Sequence, residues 1–120
     1  MRVLLIEDDA SLQRATSRLI RRTFSPTEIV IDIVDAPKGA IALLETNRYD
    51  FVLSDFNING GTGGEVLIWI DKYQPYMNER FVFFSGANHL DRWHDKIIAK
   101  GIDSTEFVEQ LRNYVPMVTS

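Results

Sequence analysis

Hydrophobic positions fall into short blocks separated by amphipathic stretches. Five apolar runs stand out: Val3–Ile6, Ile29–Val34, Phe51–Ser54, Phe81–Phe84 and Lys96–Ala99. The first, third and fourth are nearly uninterrupted, which suits strands covered on both faces, as in a parallel sheet. The second alternates, with Ile29, Ile31 and Ile33 on one face and Val30, Asp32 and Val34 on the other. Asp32 puts that strand nearer an edge. Helical periodicity fills the intervals. Leu12, Ala15, Leu19 and Ile20 form one stripe between Ser11 and Phe24. A second helix is expected to start at a capping Asp35, with Pro37 in its first turn, where a missing N–H does no harm. Ala40, Ile41 and Leu44 give it a buried face. A third runs from about Gly64 to Tyr73, with Val66, Leu67 and Ile70 inward. The last starts near Asp103, which with Glu106 has the spacing of a capping box. Phe107, Val108, Leu111, Tyr114 and Val115 form its stripe.

Strand and helix alternate throughout, which predicts an α/β domain with a parallel sheet and, from right-handed crossovers, helices on both faces. One interval departs from the rhythm. Between Ser85 and Lys96 only Gly86–Asp95 remain, room for a helix of about two turns or less. The 120 residues fit one domain. Ser25-Pro26-Thr27 and Asn59-Gly60-Gly61 read as turns within it. A net charge of −4 argues against a nucleic-acid surface. Arg14, Arg18, Arg21 and Arg22 recur at helical spacing and read first as a solvated helix face. No apolar stretch approaches a membrane span or a signal peptide, so a cytoplasmic, soluble protein is expected. The chain has no cysteine, which excludes disulfides, thiolate metal sites and cysteine nucleophiles.

The candidate chemistry is acidic. Glu7, Asp8 and Asp9 follow the first strand, and Asp55 ends the third. In doubly wound sheets, ligands bind beyond the carboxyl ends of the strands, where the strand order reverses. With the order 2-1-3-4-5, strands 1 and 3 are neighbours there and the acids converge. Carboxylates that close repel one another. A hard divalent cation such as Mg²⁺ resolves this, taking one or two carboxylates together with phosphate oxygens. Acids after a strand also cap the following helix. Capping is the better reading of Asp9, and taken without the rest Glu7 and Asp8 suit either role. Asp55 tips the balance, because a lone acid at an apolar strand end is costly without a partner. Ser85 ends the fourth strand and Lys100 the fifth, a hydrogen-bond donor and a point charge on the same rim. Either alone is commonly a turn or surface residue.

In this order the residues resemble the receiver domain of two-component response regulators. Val3-Leu4-Leu5-Ile6-Glu7-Asp8-Asp9 is similar to the family's first strand and acidic pair. Phe51-Val52-Leu53-Ser54-Asp55-Phe56-Asn57 is similar to the strand bearing the phosphorylated aspartate. Gly63 matches the glycine opening the third helix, Phe83-Phe84-Ser85-Gly86 the switch strand, and Ile98-Ala99-Lys100 the strand ending in lysine. The resemblance covers almost the whole chain. It implies a single receiver domain over residues 1–120, with a flavodoxin-like, doubly wound, five-stranded parallel sheet and a shortened fourth crossover helix. It makes Asp55 the phospho-acceptor, assisted by Ser85 and Lys100. Mg²⁺ would be held by Glu7, Asp8, Asp55 and the Asn57 backbone carbonyl. The partners it implies are a sensor histidine kinase or a histidine phosphotransfer protein, and a downstream protein effector or covalently following output domain. Direct nucleic-acid and membrane contacts are not expected, and a homodimer is compatible with all of this. Such a domain catalyses its own phosphorylation and dephosphorylation, and Asn57 and Ala87 lie where the family tunes hydrolysis.

The chain also departs from the pattern. Asn59 stands where a proline usually follows the phosphorylation site, and Gly101 where a proline follows the lysine. The aromatic switch position, three residues before the lysine, holds Ile97. Asn59, Gly101 and the short crossover favour a second reading, a pseudo-receiver that acts as a protein-interaction module without regulated phosphorylation; the complete set Glu7, Asp8, Asp55, Ser85 and Lys100 disfavours it. A third, an aspartyl-phosphate hydrolase, would need an acid where Asn57 stands. Gly60-Gly61-Thr62-Gly63-Gly64 lacks the ending of a P-loop and reads as a flexible active-site loop. A zinc site from His89, His94, Asp91 and Asp95 is less expected than a solvated crossover. Trp69 reads as helix packing and Trp93 as a candidate docking residue.

Overall fold

A computed structural model describes residues 1–86 and 91–115, with backbone alone for residues 91, 92 and 94. The expectations placed on Ala87 and on the side chains of His89, Asp91 and His94 lie outside the described residues. Five strands form one parallel sheet: β1 (Arg2–Ile6), β2 (Val30–Val34), β3 (Phe51–Ser54), β4 (Phe81–Ser85) and β5 (Ile97–Ala99). Their order is β2-β1-β3-β4-β5, as expected. Four helices cover the sheet: α1 (Ala10–Phe24), α2 (Pro37–Thr46), α3 (Gly63–Tyr73) and α4 (Ser104–Tyr114).

The continuous apolar runs are explained by the two-sided burial of the central strands. Alternate side chains point to opposite faces. Leu4, Ile6, Val52, Phe81 and Phe83 pack against Ala40 and Leu44 of α2 and Val66, Leu67 and Ile70 of α3. Val3, Leu5, Phe51, Leu53, Val82 and Ile98 pack against Ile20 and Phe24 of α1 and Phe107 and Leu111 of α4. β2 lies at the edge, as Asp32 suggested, and leaves Val30 and Ile33 exposed. Asp32 is paired there with Arg2 at 2.8 Å and accepts a hydrogen bond from Tyr49 at 2.7 Å.

Several elements differ from expectation. Asp35 does not cap α2: the N-cap position is Ala36, which makes no side-chain cap bond. Pro37 opens this helix and brings no N–H that needs a partner. In α1 the buried face is Thr16, Ile20, Thr23 and Phe24, while Ala15 is exposed. Thr23 is tolerated inside because its hydroxyl donates to the Leu19 carbonyl at 2.7 Å. A 3-10 segment, Pro75–Arg80, carries one buried apolar residue, Met77, too little to produce a periodic signal. The fourth crossover contains no α-helix among the described residues. Asp91–Lys96 forms 3-10 turns kinked at Trp93 (φ −125°, ψ 30°). The glycine-rich stretch is not a loop throughout. Asn57–Ile58 and Gly61–Thr62 pair as a small antiparallel hairpin, and Gly63 and Gly64 are the first residues of α3. Among the described residues no helix is long and apolar enough to cross a membrane.

Half of the expected capping box forms at α4. The Asp103 carboxylate accepts from the Glu106 N–H at 2.8 Å, whereas the Glu106 carboxylate accepts from Gln110 instead. Asp103→Ala is therefore expected to lower the unfolding free energy by about 1 kcal/mol, and Glu106→Ala by less. Urea unfolding of both variants beside the wild type checks this.

Candidate functional site

The strand register brings the acids together. Ile6 of β1 lies opposite Ser54 of β3, so the chains leave the sheet side by side. The Asp55 N–H continues the ladder by donating to the Ile6 carbonyl at 2.9 Å, and the Glu7 N–H donates to Val34 at 2.9 Å. Glu7 and Asp55 are thus fixed by backbone pairing before any side-chain contact is counted. Glu7, Asp8 and Asp55 each offer a carboxylate oxygen, and these oxygens lie within 4.8 Å of one another.

Lys100 closes the group from β5. Its Nζ lies 2.8 Å from Asp55 Oδ2 and 3.4 Å from Glu7 Oε1. Among the described residues it is the one cation paired with these acids. The lysine is placed without a proline after it. The Lys100–Gly101 peptide is trans, and Gly101 has φ +93°, a conformation that L side chains rarely adopt and that proline cannot. The chain therefore turns by glycine's freedom where the family uses proline. Lys100 N–H donates to the Ser85 carbonyl at 3.1 Å, which ties the ends of β4 and β5 together. Ser85 itself is buried at the end of β4 on the same rim.

The carboxylates are not equivalent. Glu7 is only 2% exposed, and both its oxygens are engaged. Oε2 accepts from the Asp8 N–H at 3.0 Å and more weakly from the Asp9 N–H at 3.4 Å, while Oε1 faces Lys100. Asp8 is exposed and Asp55 half-buried, so their oxygens are the more accessible. Three hard oxygen donors of this kind fit Mg²⁺, which commonly takes one or two carboxylates and keeps several waters. Asp9 stands apart as the N-cap of α1, its side chain accepting from the Leu12 N–H at 2.9 Å. Asn57 is exposed, two residues past Asp55, at the start of the small hairpin.

Three further residues surround Asp55, of which Ser54 and Phe56 were not legible as site residues. The Phe56 N–H donates to Asp55 Oδ1 at 2.7 Å. The buried Ser54 hydroxyl donates to the Asp55 carbonyl at 2.7 Å. Gly63 lies against the same carbonyl, and a Cβ there would overlap both it and Ser54 Oγ. Only Gly63 carried a sequence signal, as a glycine opening a helix. Its second reason, close approach to another backbone segment, depends on the tertiary fold.

Burial raises the pKa of Glu7 above the usual 4.5; the charge of Lys100 pulls it down and that of Asp55 adds to the rise. For Lys100, burial works to lower the pKa, but hydrogen bonding and charge attraction to Asp55, aided by Glu7, leave it raised above 10.5. A raised acid pKa means that the folded state holds the proton more tightly than the unfolded chain. The contribution of Glu7 to stability therefore falls as pH rises from about 4.5 through its folded value. Lys100 contributes stability that is present at neutral pH and lost as pH rises through its elevated value. Relative to wild type, Glu7→Gln is expected to gain stability as pH increases across the window above 4.5. Urea unfolding of the two proteins at matched pH values measures that difference.

The chain matches the response regulator receiver domain family over residues 3–112. Among solved structures it is similar to the response regulatory domain of mrkE from Klebsiella pneumoniae (22% identity, TM-score 0.79, 98% of each chain covered). It is also similar to the receiver domain of a signal transduction histidine kinase from Syntrophus aciditrophicus (16% identity, TM-score 0.79, 98% of this chain and 91% of that one). A third is the response regulator TrrA from Thermotoga maritima in complex with Mg²⁺ and BeF (18% identity, TM-score 0.78, 94% and 97% covered). No curated protein sequence matches the chain. At these identities the solved structures speak for the fold, and the match over nearly the full length speaks for the family: the chain belongs to the response regulator receiver domains of two-component signalling.

Proposed function

We propose that Asp55 accepts a phosphoryl group from a partner's phosphohistidine, and that residues 1–120 act as one such receiver domain in the cytoplasm. The observation that carries this reading is the Lys100 ammonium lying 2.8 Å from Asp55 at the edge of a three-carboxylate group. A carboxylate placed for structure alone would not need two further acids beside it.

In the transfer, an Asp55 carboxylate oxygen attacks phosphorus as the phosphorus–nitrogen bond to histidine breaks, and the imidazole leaves with that electron pair. Phosphoryl transfer is accelerated mainly by positioning and by neutralising charge on the phosphoryl oxygens. The Phe56 N–H and Lys100 fix the orientation of the Asp55 carboxylate beforehand. Lys100, a point charge on a flexible four-carbon stem, can follow the charge from carboxylate to phosphoryl group. Mg²⁺ supplies further neutralisation of the phosphoryl oxygens when bound, held by Asp8 and Asp55 with Glu7 and the Asn57 carbonyl completing the set. Ser85 would hydrogen-bond the acyl phosphate, biasing an existing two-state equilibrium. TrrA was solved with Mg²⁺ and BeF, which supports the same ligands here. The partner is then a histidine kinase or a histidine phosphotransfer protein, and the output an effector protein or a following domain.

The pseudo-receiver reading draws on Asn59, Gly101 and the short crossover, and one experiment separates the two. The protein is incubated with a small phosphodonor and Mg²⁺ and its intact mass is followed. Gain of one phosphoryl group, absent in Asp55→Asn and strongly slowed in Lys100→Ala, supports the acceptor role. No gain in wild type, together with no Mg²⁺ binding, leaves the interaction module. Mg²⁺ alone is also expected to raise the melting temperature, since at a hundredfold its dissociation constant a ligand stabilises by about 2.7 kcal/mol. That increment should shrink in Asp8→Asn.

A further inference from the structure

We propose that Trp93 is a positioning residue for Asp55 that acts through Phe56; this rests on Asp55 being the phospho-acceptor. The contact chain is short. The Phe56 N–H holds Asp55 Oδ1 at 2.7 Å, and the Phe56 carbonyl accepts from the Gly63 N–H at 2.7 Å. Wherever the Phe56 backbone sits, the Asp55 carboxylate follows. The Phe56 ring is in turn held between two others. Its centroid lies 5.8 Å from that of Phe83 and 6.2 Å from that of Trp93, and Trp93 lies 5.4 Å from Phe83. All three separations fall in the range of favourable tilted aromatic pairs. Phe83 is fully buried in β4, Phe56 lies in the bend after β3, and Trp93 is carried by the 3-10 crossover.

The seat for Trp93 is built into α3. A Cβ on Gly64 would lie 2.8 Å from Trp93 Cη2 and 2.9 Å from Cζ3, and 3.2 Å from Phe56 Cε2. Gly64 thus leaves the space in which the indole reaches both the helix and the Phe56 ring. The backbone kink at Trp93 directs the residue between two 3-10 turns, and Lys96 ties the end of that segment to the Asn78 carbonyl at 2.6 Å. Ile97, beside Phe83 in the sheet, is aliphatic. The aromatic group connected to Asp55 therefore comes from the crossover, not from β5. Coupling of this kind is reciprocal. If the indole sets the position of Asp55, a change at Asp55 alters the surroundings of the indole.

Both directions can be measured. Phosphorylation by a small phosphodonor with Mg²⁺ is followed by intact mass, with thermal melting confirming that each variant is folded. Trp93→Ala is expected to slow phosphorylation roughly tenfold to a hundredfold, the scale of a misplaced reacting group, and Trp93→Phe to restore most of the rate. In a Trp69→Phe protein, where Trp93 is the single tryptophan, emission is expected to shift on addition of Mg²⁺ with beryllofluoride. This arm needs no alteration at the cluster. A folded Trp93→Ala protein that reacts at the wild-type rate overturns the proposal. So does a Trp69→Phe protein that gains the phosphoryl mass with its emission unchanged. A wild type that gains no mass instead overturns the acceptor role of Asp55 itself.

Discussion

Three carboxylates at the end of two adjacent strands are a mutual repulsion that the fold has to hold. Backbone pairing enforces it, because Asp55 and Glu7 are both hydrogen-bonded into the sheet ladder and cannot separate without breaking it. One ammonium, that of Lys100, offsets the repulsion among the described residues. The chain ends of β4 and β5 are organised around delivering it: Lys100 N–H binds the Ser85 carbonyl, and its Nζ also lies 5.8 Å from the centroid of the Phe84 ring. Burial keeps Glu7 from relaxing into solvent, and its raised pKa records that cost. A site with this charge imbalance is suited to binding a cation and a phosphoryl group together, since each neutralises what the other adds.

A second constraint acts on the opposite side of Asp55. α3 begins against the end of β3, and its first two residues have no side chain for a reason. Gly63 lets the helix touch the Asp55 carbonyl, and Gly64 lets Trp93 touch the helix. The two glycines face different neighbours, so they are separate requirements and not a single flexible hinge.

Much of this was legible in the chain. The apolar runs located all five strands of the sheet because central parallel strands are buried on both faces and show it without alternation. The doubly wound order then put Glu7, Asp8, Asp55, Ser85 and Lys100 on one rim. Spacing also revealed the caps at Asp9 and Asp103, since a cap bond is local. What was not legible depends on partners far along the chain. Asp35 looked like a cap, but the helix opens one residue later, at Pro37, and Ala36 takes the N-cap position. The stripe of α1 was displaced toward Thr16 and Thr23, and the Thr23 hydroxyl is satisfied within its own helix by the Leu19 carbonyl. Gly63 and Trp93 meet Asp55 or its neighbour Phe56 only in three dimensions.

The departures from the family pattern are connected. Gly101 replaces proline, yet Lys100 still reaches Asp55, so the chemistry of the rim does not require that proline. What changes is the segment leading into β5. The fourth crossover contributes only 3-10 turns among the described residues, and the indole of Trp93 packs against α3 and Phe83 there. The altered crossover and the intact rim are therefore compatible: the proposed acceptor keeps its charge environment, while the crossover adds the Trp93 ring to the Phe83 ring already packed near Phe56.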